Sequence, residues 1–168
     1  MADVFSKKKR SEVMARIRSR GNAATELALA KLFRRHKITG WRRHLKLRVT
    51  GGKRQVTRKA RASAPSPVTR HQSLTVRPDF VFRQARLALF VDGCFWHGCS
   101  KHGTQPKGNR AFWKKKFARN LARDRLVNRA LRRANWRVLR IWEHTLRWAA
   151  KKPQNEARLL RRFRRMLF

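Results

Sequence analysis

The feature that most constrains the fold is a nearly continuous apolar run, Leu87–Val91, in a chain otherwise crowded with cations. A short apolar run of this kind is typical of a central strand that is buried on both faces. Strands are also predicted for two further apolar stretches, Pro78–Phe82 and Trp136–Trp142, and, from looser alternation, for Trp41–Leu47. The sequence therefore predicts a small sheet with Leu87–Val91 in its interior.

Apolar residues at helical spacing predict helices before, between and after these strands, over residues 10–19, 24–36, 109–134 and 153–167. The long helix has these predicted inner positions: Phe112, Phe117, Leu121, Val127 and Leu131. The element order α-α-β-β-β-α-β-α, without internal repeats, indicates an α/β fold in which helices flank a small mixed sheet. A length of 168 residues predicts one domain spanning residues 1–168.

Residues 50–76 differ in composition from the rest of the chain. They contain Gly, Pro, Ser, Thr and several cations but no acidic and no aromatic residue. Because such a segment buries little apolar surface, we expect a long, flexible, basic loop. It is either an arm that follows DNA or an inserted segment that merely adds charge, and the sequence leaves both open.

The charge balance points to a polyanionic partner. Lys and Arg number 46 against 8 Asp and Glu, a formal net charge of +38, and nucleic acid is the usual partner of such a chain. We expect binding that weakens steeply as salt rises. Ribosomal and nucleoid proteins share this composition, so charge alone does not indicate an enzyme. No membrane helix or secretory signal is recognisable, and we expect a cytoplasmic, nucleoid-associated protein.

The scarce acidic residues are the first candidates for chemistry. Asp79 begins one predicted strand and Asp92 ends the next, so a short connection between the strands would bring both carboxylates to one end of the sheet. Paired carboxylates suit Mg²⁺, which prefers oxygen ligands and activates water for phosphodiester hydrolysis. The alternative is that both residues pair with surplus Arg side chains.

The cysteines and histidines suggest a second site. Cys94, Cys99 and His102 have the spacing Cys-x4-Cys-x2-His, which offers three ligands to zinc, and His144 is the best fourth candidate. The other candidates for the fourth ligand lie in poorer contexts: His36, His44 and His71. The alternative is a pair of reduced thiols beside a surface histidine, since two cysteines in a reducing compartment need not form a site.

His97 lies between the cysteines and is a candidate general acid or base, oriented by Asp124 or Asn120. The aromatic residues Phe95, Trp96 and Trp113 stand beside cations. They are suited either to stack on or wedge between bases, or to cover the zinc site and the core.

These residues together resemble the very-short-patch-repair (Vsr) endonuclease family. The resemblance rests on the runs Arg77–Phe82, Phe90–Cys99, Phe112-Trp113-x2-Lys116, Asn120-x3-Asp124 and Trp136–Glu143, with weaker matches at Arg10–Met14 and Thr25-Glu26. It covers most of the chain except residues 48–76 and about the last fifteen. It implies a restriction-endonuclease-like fold related to PD-(D/E)xK nucleases. The implied activity is nicking of one strand 5′ to the T of a T:G mismatch, with Mg²⁺ for catalysis and a structural Zn²⁺. Implied partners are mismatched duplex DNA and, potentially, mismatch-repair proteins, with the chain acting as a monomer.

The resemblance also assigns roles to individual residues. Asp79 matches the Mg²⁺ ligand, the Val91 carbonyl a second ligand, His97 the catalytic histidine, and Asp124 its partner. Glu26 matches an active-site acid, and Cys94 matches a zinc ligand. The aromatics that intercalate beside the mismatch are matched by Phe95, Trp96 and Trp113. Other residues that touch DNA are matched by Met14, Lys116 and Asn120.

The chain also departs from the family. Asp92 stands where the best-known member has a second active-site histidine, so Asp92 is a candidate for catalysis or for metal binding. The Lys that usually follows the second acid of PD-(D/E)xK enzymes is absent, and His144 takes a position where that member has Cys. Because the zinc spacing is shifted, Cys99 and His102 are assigned from this sequence alone. An endonuclease without mismatch preference, or a non-enzymatic basic zinc-containing protein that binds nucleic acid, are the alternative functions.

Overall fold

A computed structural model describes residue 12 and residues 23–50, 73–103, 106 and 108–167. A π-helical turn, Ala23–Leu27, leads into helix α1 (Ala28–Arg35). Three more helices follow: α2 (Arg110–Arg133), α3 (Glu143–Ala149) and α4 (Pro153–Leu167). The strands are β1 (Trp41–Arg43), β2 (Leu47–Thr50), β3 (Ser73–Val76), β4 (Phe80–Phe82), β5 (Leu87–Asp92) and β6 (Arg137–Trp142). A mixed α/β class is therefore confirmed, whereas the helix predicted over residues 10–19 lies outside the described residues.

Four strands form the main sheet in the order β1-β4-β5-β6. β4 is antiparallel to β1 and β5, whereas β5 and β6 are parallel and joined by the long crossover helix α2. The predicted interior position of Leu87–Val91 is confirmed, because β5 has a neighbour on each side. Two strands, β2 and β3, form a separate antiparallel hairpin.

Alternation of side chains along the strands builds a core on each face of the sheet. One core surrounds Phe33 of α1, whose ring meets Phe80 and Phe163 edge-on at centroid distances of 5.4 and 5.0 Å. Full burial of a side chain of this size contributes roughly 1.5–3 kcal/mol. The other core joins Val81 and Ala88 to the hairpin and to Leu131 of α2. The sheet is thus covered on both faces, which fixes the position of its strand ends.

Two sequence predictions about strands and loops are wrong. Trp41–Leu47 is not one strand: His44 has a positive φ of 52°, the chain turns there, and β1 and β2 join different sheets. The predicted loop 50–76 is also wrong at its ends, because Thr50 pairs with Ser73 and the segment continues as β3 to Val76. Alternating apolar residues drive this pairing, since Val49 and Val76 are both buried. The remainder of that loop lies outside the described residues.

The helix predictions differ from the structure in two respects. Phe112 and Leu121 are 58% and 41% exposed, so these two are not inner positions of α2. Only the later part of the helix packs on the sheet, through Val127 and the buried Leu131. Helix α3 was not expected, whereas the helix predicted over 153–167 has those bounds. Among the described residues, no helix combines the length and the apolar character needed to cross a membrane.

Candidate active site

The start of β4 and the end of β5 meet at one end of the sheet, and a cleft of about 840 Å³ opens there. It is bordered by the sheet, the β3 end of the hairpin, the loop after β5 and the exposed part of α2. Most of the predicted site residues line it: Glu26, Asp79, Val91, Asp92, Phe95, Trp96, His97, Lys116, Asn120 and Asp124. Met14, a predicted DNA contact, lies outside the described residues.

A cluster of possible metal ligands lies at the sheet side of the cleft. One ligand atom each from Glu26, His44 and Asp79 lies within 4.8 Å of the others. Glu26 is buried and is held by the Arg43 guanidinium at 2.8 Å and by His44 Nε2 at 3.0 Å. His44 was considered only for zinc at the sequence level. Its place beside Asp79 arises from the pairing of β1 with β4, which no local motif reveals.

The Asp79 carboxylate lies in surroundings that disfavour its negative charge. Its Oδ2 accepts a hydrogen bond of 2.7 Å from the Val91 backbone N–H. Burial raises the pKa of Asp79 to about 6, the Val91 N–H opposes this rise, and the charges of Glu26 and Asp92 add to it. The charge of Arg140 also lowers this pKa, and a bound cation would stabilise the charged carboxylate further.

A second pair of residues lies across the cleft. His97, in the loop after β5, places its Nδ1 2.6 Å from Oδ2 of Asp124 on α2. Burial alone would raise the pKa of Asp124, but the hydrogen bond from His97 and the charge of Arg140 outweigh it and lower that pKa. The carboxylate is therefore ionised, and the structure brings it together with the imidazole of His97.

Arg140, on β6, is a member of the cleft that the sequence did not single out. Its guanidinium donates to both oxygens of Asp92, at 2.7 and 2.6 Å, and lies 2.9 Å from Oδ1 of Asp124. Asp92 and Asp79 share one end of the sheet, as predicted, but Asp92 pairs with Arg140 rather than joining the cluster around Asp79. The signal available in the sequence was a single Arg within the otherwise apolar run Val138–Trp142.

The aromatic residues form one connected group at the outer rim. The Phe95 ring contacts Trp96, Trp113 and Phe117 at centroid distances of 5.0, 5.2 and 5.5 Å. Asn120 donates from its side chain to the Trp96 carbonyl at 2.8 Å, which ties the loop to α2. The rings are only partly buried, so they cover little core and remain open to a ligand.

A separate cysteine and histidine cluster takes three of its members from the same loop after β5. One ligand atom from each of Cys94, Cys99, His102 and His144 lies within 4.8 Å of all the others. The Nδ1 of His144 is 3.2 Å from the Cys94 sulfur and 3.5 Å from the Cys99 sulfur. Zinc–sulfur and zinc–nitrogen bonds of ordinary length in a tetrahedron give donor separations of about 3.5 Å, so the donor set and spacing fit zinc.

The electrostatics of this cluster favour the neutral forms of Cys94 and His144. Burial raises the pKa of the Cys94 thiol. Burial also lowers the pKa of His144, and the positive charges of His102, Lys101 and Arg147 lower it further. A neutral imidazole is the form that binds metal, and a cation would favour the thiolate. Of the alternative ligands, His36 pairs with Glu156, His44 lies at the cleft, and His71 lies outside the described residues.

Comparisons with known proteins match a segment of the chain that carries several of these residues. Residues 68–102 match the family model for DNA mismatch endonuclease Vsr. The chain is 55% identical over 69 residues to "Type II nicking enzyme V.NaeI" of Lentzea aerocolonigenes, which is 41% of this chain and 42% of the relative. It is 43% identical over 74 residues to "Type II nicking enzyme V.NmeDIP" of Neisseria meningitidis serogroup C, covering 43% and 50%. It is 40% identical over 80 residues to "DNA mismatch endonuclease Vsr" of Escherichia coli K12, covering 47% and 51%.

These matches span only part of each protein. The chain covers about half the length of the curated relatives it matches. The residues matched by the family model include Asp79, His97 and three members of the cysteine and histidine cluster, whereas Glu26, His44 and His144 lie outside the match.

Proposed function

Starting from the confirmed similarity to the Vsr family, we propose that this chain is a DNA endonuclease that nicks one strand 5′ to the T of a T:G mismatch. One observation carries the proposal: a single cleft holds the carboxylates of Glu26 and Asp79 and, across from them, the His97–Asp124 pair. Phosphodiester hydrolysis needs a cation at the phosphate and a group that transfers a proton, and this cleft offers residues for both.

Asp79 and the Val91 carbonyl would hold Mg²⁺, with Glu26 and His44 adjacent. Support comes from Asp79 itself, because burial raises its pKa to about 6 and so disfavours the negative charge that a bound cation would stabilise. When bound, the ion lowers the pKa of its water and stabilises charge on the phosphate. The Val91 N–H fixes the Asp79 carboxylate, so the ligand needs no rearrangement on binding.

His97 would transfer the proton. Because Asp124 accepts the Nδ1–H of His97, the neutral ring carries its lone pair on Nε2. That nitrogen would accept a proton from water or donate one to the leaving oxygen. The ionised Asp124 stabilises the imidazolium that forms in the first case.

The partly exposed aromatic group supports the mismatch preference. Phe95, Trp96 and Trp113 lie together beside the catalytic residues, and rings of this kind can wedge between base pairs that stack poorly. Lys116 lines the same cleft and would contact a phosphate. Nicking, rather than cutting of both strands, is proposed because two of the relatives are named nicking enzymes.

Cys94, Cys99, His102 and His144 would hold a structural Zn²⁺. The donor separations and the mixed sulfur and nitrogen set support this assignment. The site would fix both ends of the loop that carries Phe95, Trp96 and His97, so it would act on catalysis through the position of that loop.

The test is a nicking assay with Mg²⁺ on a duplex with one T:G mismatch and on its matched T:A duplex. A nick beside the mismatched T, absent from the matched duplex and from Asp79→Asn, is expected. As a matched control, Glu156→Gln removes an acidic residue that lies on α4 and does not line the cleft, and it should nick normally.

Equal nicking of both duplexes would remove the mismatch preference and leave an endonuclease of broader specificity. Binding without any nick by wild-type protein would contradict the proposed activity and favour a DNA-binding protein. Nicking by Asp79→Asn at the wild-type rate would contradict the site.

A further inference from the structure

The pairing of Asp92 with Arg140 is the feature of the cleft that the proposed function does not use. Asp92 is buried, with 4% of its surface exposed, and an acid at such a depth needs a partner. Both of its oxygens are engaged by the Arg140 guanidinium, at 2.7 Å to Nε and 2.6 Å to Nη2. This two-bond arrangement is the strongest geometry available to an arginine and a carboxylate.

Arg140 has little capacity left for a substrate. A guanidinium has five N–H groups, of which Nε and Nη2 face Asp92 and Asp124, while Nη1 donates to Asn128 at 3.3 Å. Its charged plane also lies over the Phe90 ring, 5.0 Å from the centroid. A side chain fixed on this many sides is built to hold neighbours in place and not to move onto a phosphate.

The contacts form a chain that ends at the proton-transfer group. Arg140 contacts Oδ1 of Asp124, and the other oxygen of that carboxylate accepts from His97. Arg140 therefore determines which oxygen of Asp124 faces His97 and at what angle. Asp124 stands on an exposed part of α2, where few packing contacts would otherwise fix its rotamer.

We propose that Arg140 is a positioning residue for the Asp124–His97 pair, and that Asp92 is the buried anchor of Arg140 and not a ligand of the catalytic cation. This deepens the proposed function and rests on it. It also accounts for the acid at position 92, because the Asp92 carboxylate holds the Arg140 guanidinium where it contacts Asp124.

The first experiment is a double-mutant cycle with Arg140→Gln, Asp92→Asn and the double variant, all in the full chain. Arg140→Gln should lower kcat on mismatched DNA by roughly 10²-fold with little change in KM, as expected when a catalytic group is misplaced. Asp92→Asn should lower kcat less. Asp92 Oδ1 lies 3.8 Å from His97 Nδ1, which is too far for a hydrogen bond. The double variant should therefore match Arg140→Gln alone, because an anchor has no effect once Arg140 is gone.

The cycle also separates the anchor from a metal ligand. If Asp92 were a metal ligand, Asp92→Asn would raise the Mg²⁺ concentration needed for half-maximal rate, both in the wild-type protein and in Arg140→Gln. Additive losses in the cycle together with such a shift would overturn the anchor role of Asp92. Because the double variant leaves no unpaired buried charge, it keeps the test open if either single variant folds poorly.

A second readout does not depend on nicking. In protein labelled with ¹⁵N-histidine, the neutral His97 ring should be mainly in the Nδ1–H form, with assignment from His97→Gln. Arg140→Gln should lower the share of that form, and Arg140→Lys should restore it partly, because an ammonium can contact Asp124 but cannot hold both acids. Unchanged His97 tautomers in folded Arg140→Gln would overturn the proposal.

The matched control is Arg137→Gln on the same strand. Arg137 is exposed and donates to the Ala85 carbonyl at 2.9 Å, at the end of β6 away from the cleft. Both kcat and the His97 tautomer should match wild type. If wild-type protein did not nick DNA, the proposed function would fail, and the tautomer measurement would still decide whether Arg140 positions this pair.

Discussion

The acidic cluster and the cysteine–histidine cluster differ in how the chain assembles them. Three of the four zinc candidates fall within one short segment, Cys94–His102, whereas Glu26, His44 and Asp79 come from distant positions and meet only through the sheet. The cysteine–histidine cluster fixes local structure, whereas the acidic cluster depends on structure formed elsewhere. Loss of the cysteine–histidine cluster should therefore damage the fold, and loss of the acidic cluster should damage only the chemistry.

Removal of zinc is the change with the largest expected effect. Cys99→Ser should release bound zinc and lower the free energy of unfolding by on the order of 5 kcal/mol, because binding energy at a structural site is folding energy. Zinc content and thermal unfolding measure this. Ser100→Ala, in the same loop, is the control and should keep both. Full zinc occupancy and stability in Cys99→Ser would mean that Cys99 is not a zinc ligand, and the absence of zinc from the wild-type protein would mean that the cluster is only a thiol pair.

Asp79→Asn should separate function from stability. We expect nicking to fall by on the order of 10²–10³-fold. We also expect the protein without added Mg²⁺ to become more stable at pH 7, by up to about 3 kcal/mol, because folding raises the pKa of this carboxyl from 3.8 to about 6. Urea unfolding tests the second part. A less stable Asp79→Asn variant would mean that the charged carboxylate is favourably paired and needs no cation.

The same pKa shift sets a pH dependence. Since the folded protein binds the Asp79 proton more tightly than the unfolded chain, this group favours folding below about pH 4, and its contribution is lost as the pH rises through about 6. The stability advantage of Asp79→Asn over wild type should therefore be near zero at pH 4 and complete above pH 7. Denaturant titrations without added Mg²⁺ at several pH values measure it. A constant difference across that range would contradict the shift.

His44→Asn is expected to have the smallest effect. If the imidazole supports the cation or holds Glu26 in place, its loss should weaken binding of Mn²⁺ by about tenfold. Mn²⁺ binding to the zinc-loaded protein measures this directly. His36→Asn, which removes a histidine paired with Glu156 away from the cleft, is the control. Equal Mn²⁺ affinity in both variants would exclude His44 from the site.

Sequence reasoning succeeded where neighbours in the chain are neighbours in space. The spacing Cys-x4-Cys-x2-His and the run Leu87–Val91 each carry their own signal, and the structure groups the predicted zinc candidates and buries the predicted strand. Arg140 and His44 were missed because their roles come from strand pairing: β6 beside β5 brings Arg140 to Asp92, and β1 beside β4 brings His44 to Asp79. Register of this kind depends on the whole sheet.

The errors have the same origin. Phe112 and Leu121 fit the helical spacing, but α2 extends past the edge of the sheet, so that part of its apolar stripe has no core to meet. Thr50–Val76 has a loop-like composition overall, yet its last residues alternate and complete a hairpin. Composition averages over a window and hides a short strand at its end.

That hairpin gives the chain a place where its length is free to vary. Thr50 and Ser73 are directly paired, so the segment that joins them begins and ends at adjacent positions. Any segment between them, from a tight turn to a long basic stretch, closes over the same pair at a cost that grows only slowly with length. Residues 51–72 can therefore be exchanged for a segment of another length between these two fixed ends, and the exchange would show directly whether they guide DNA or only add charge.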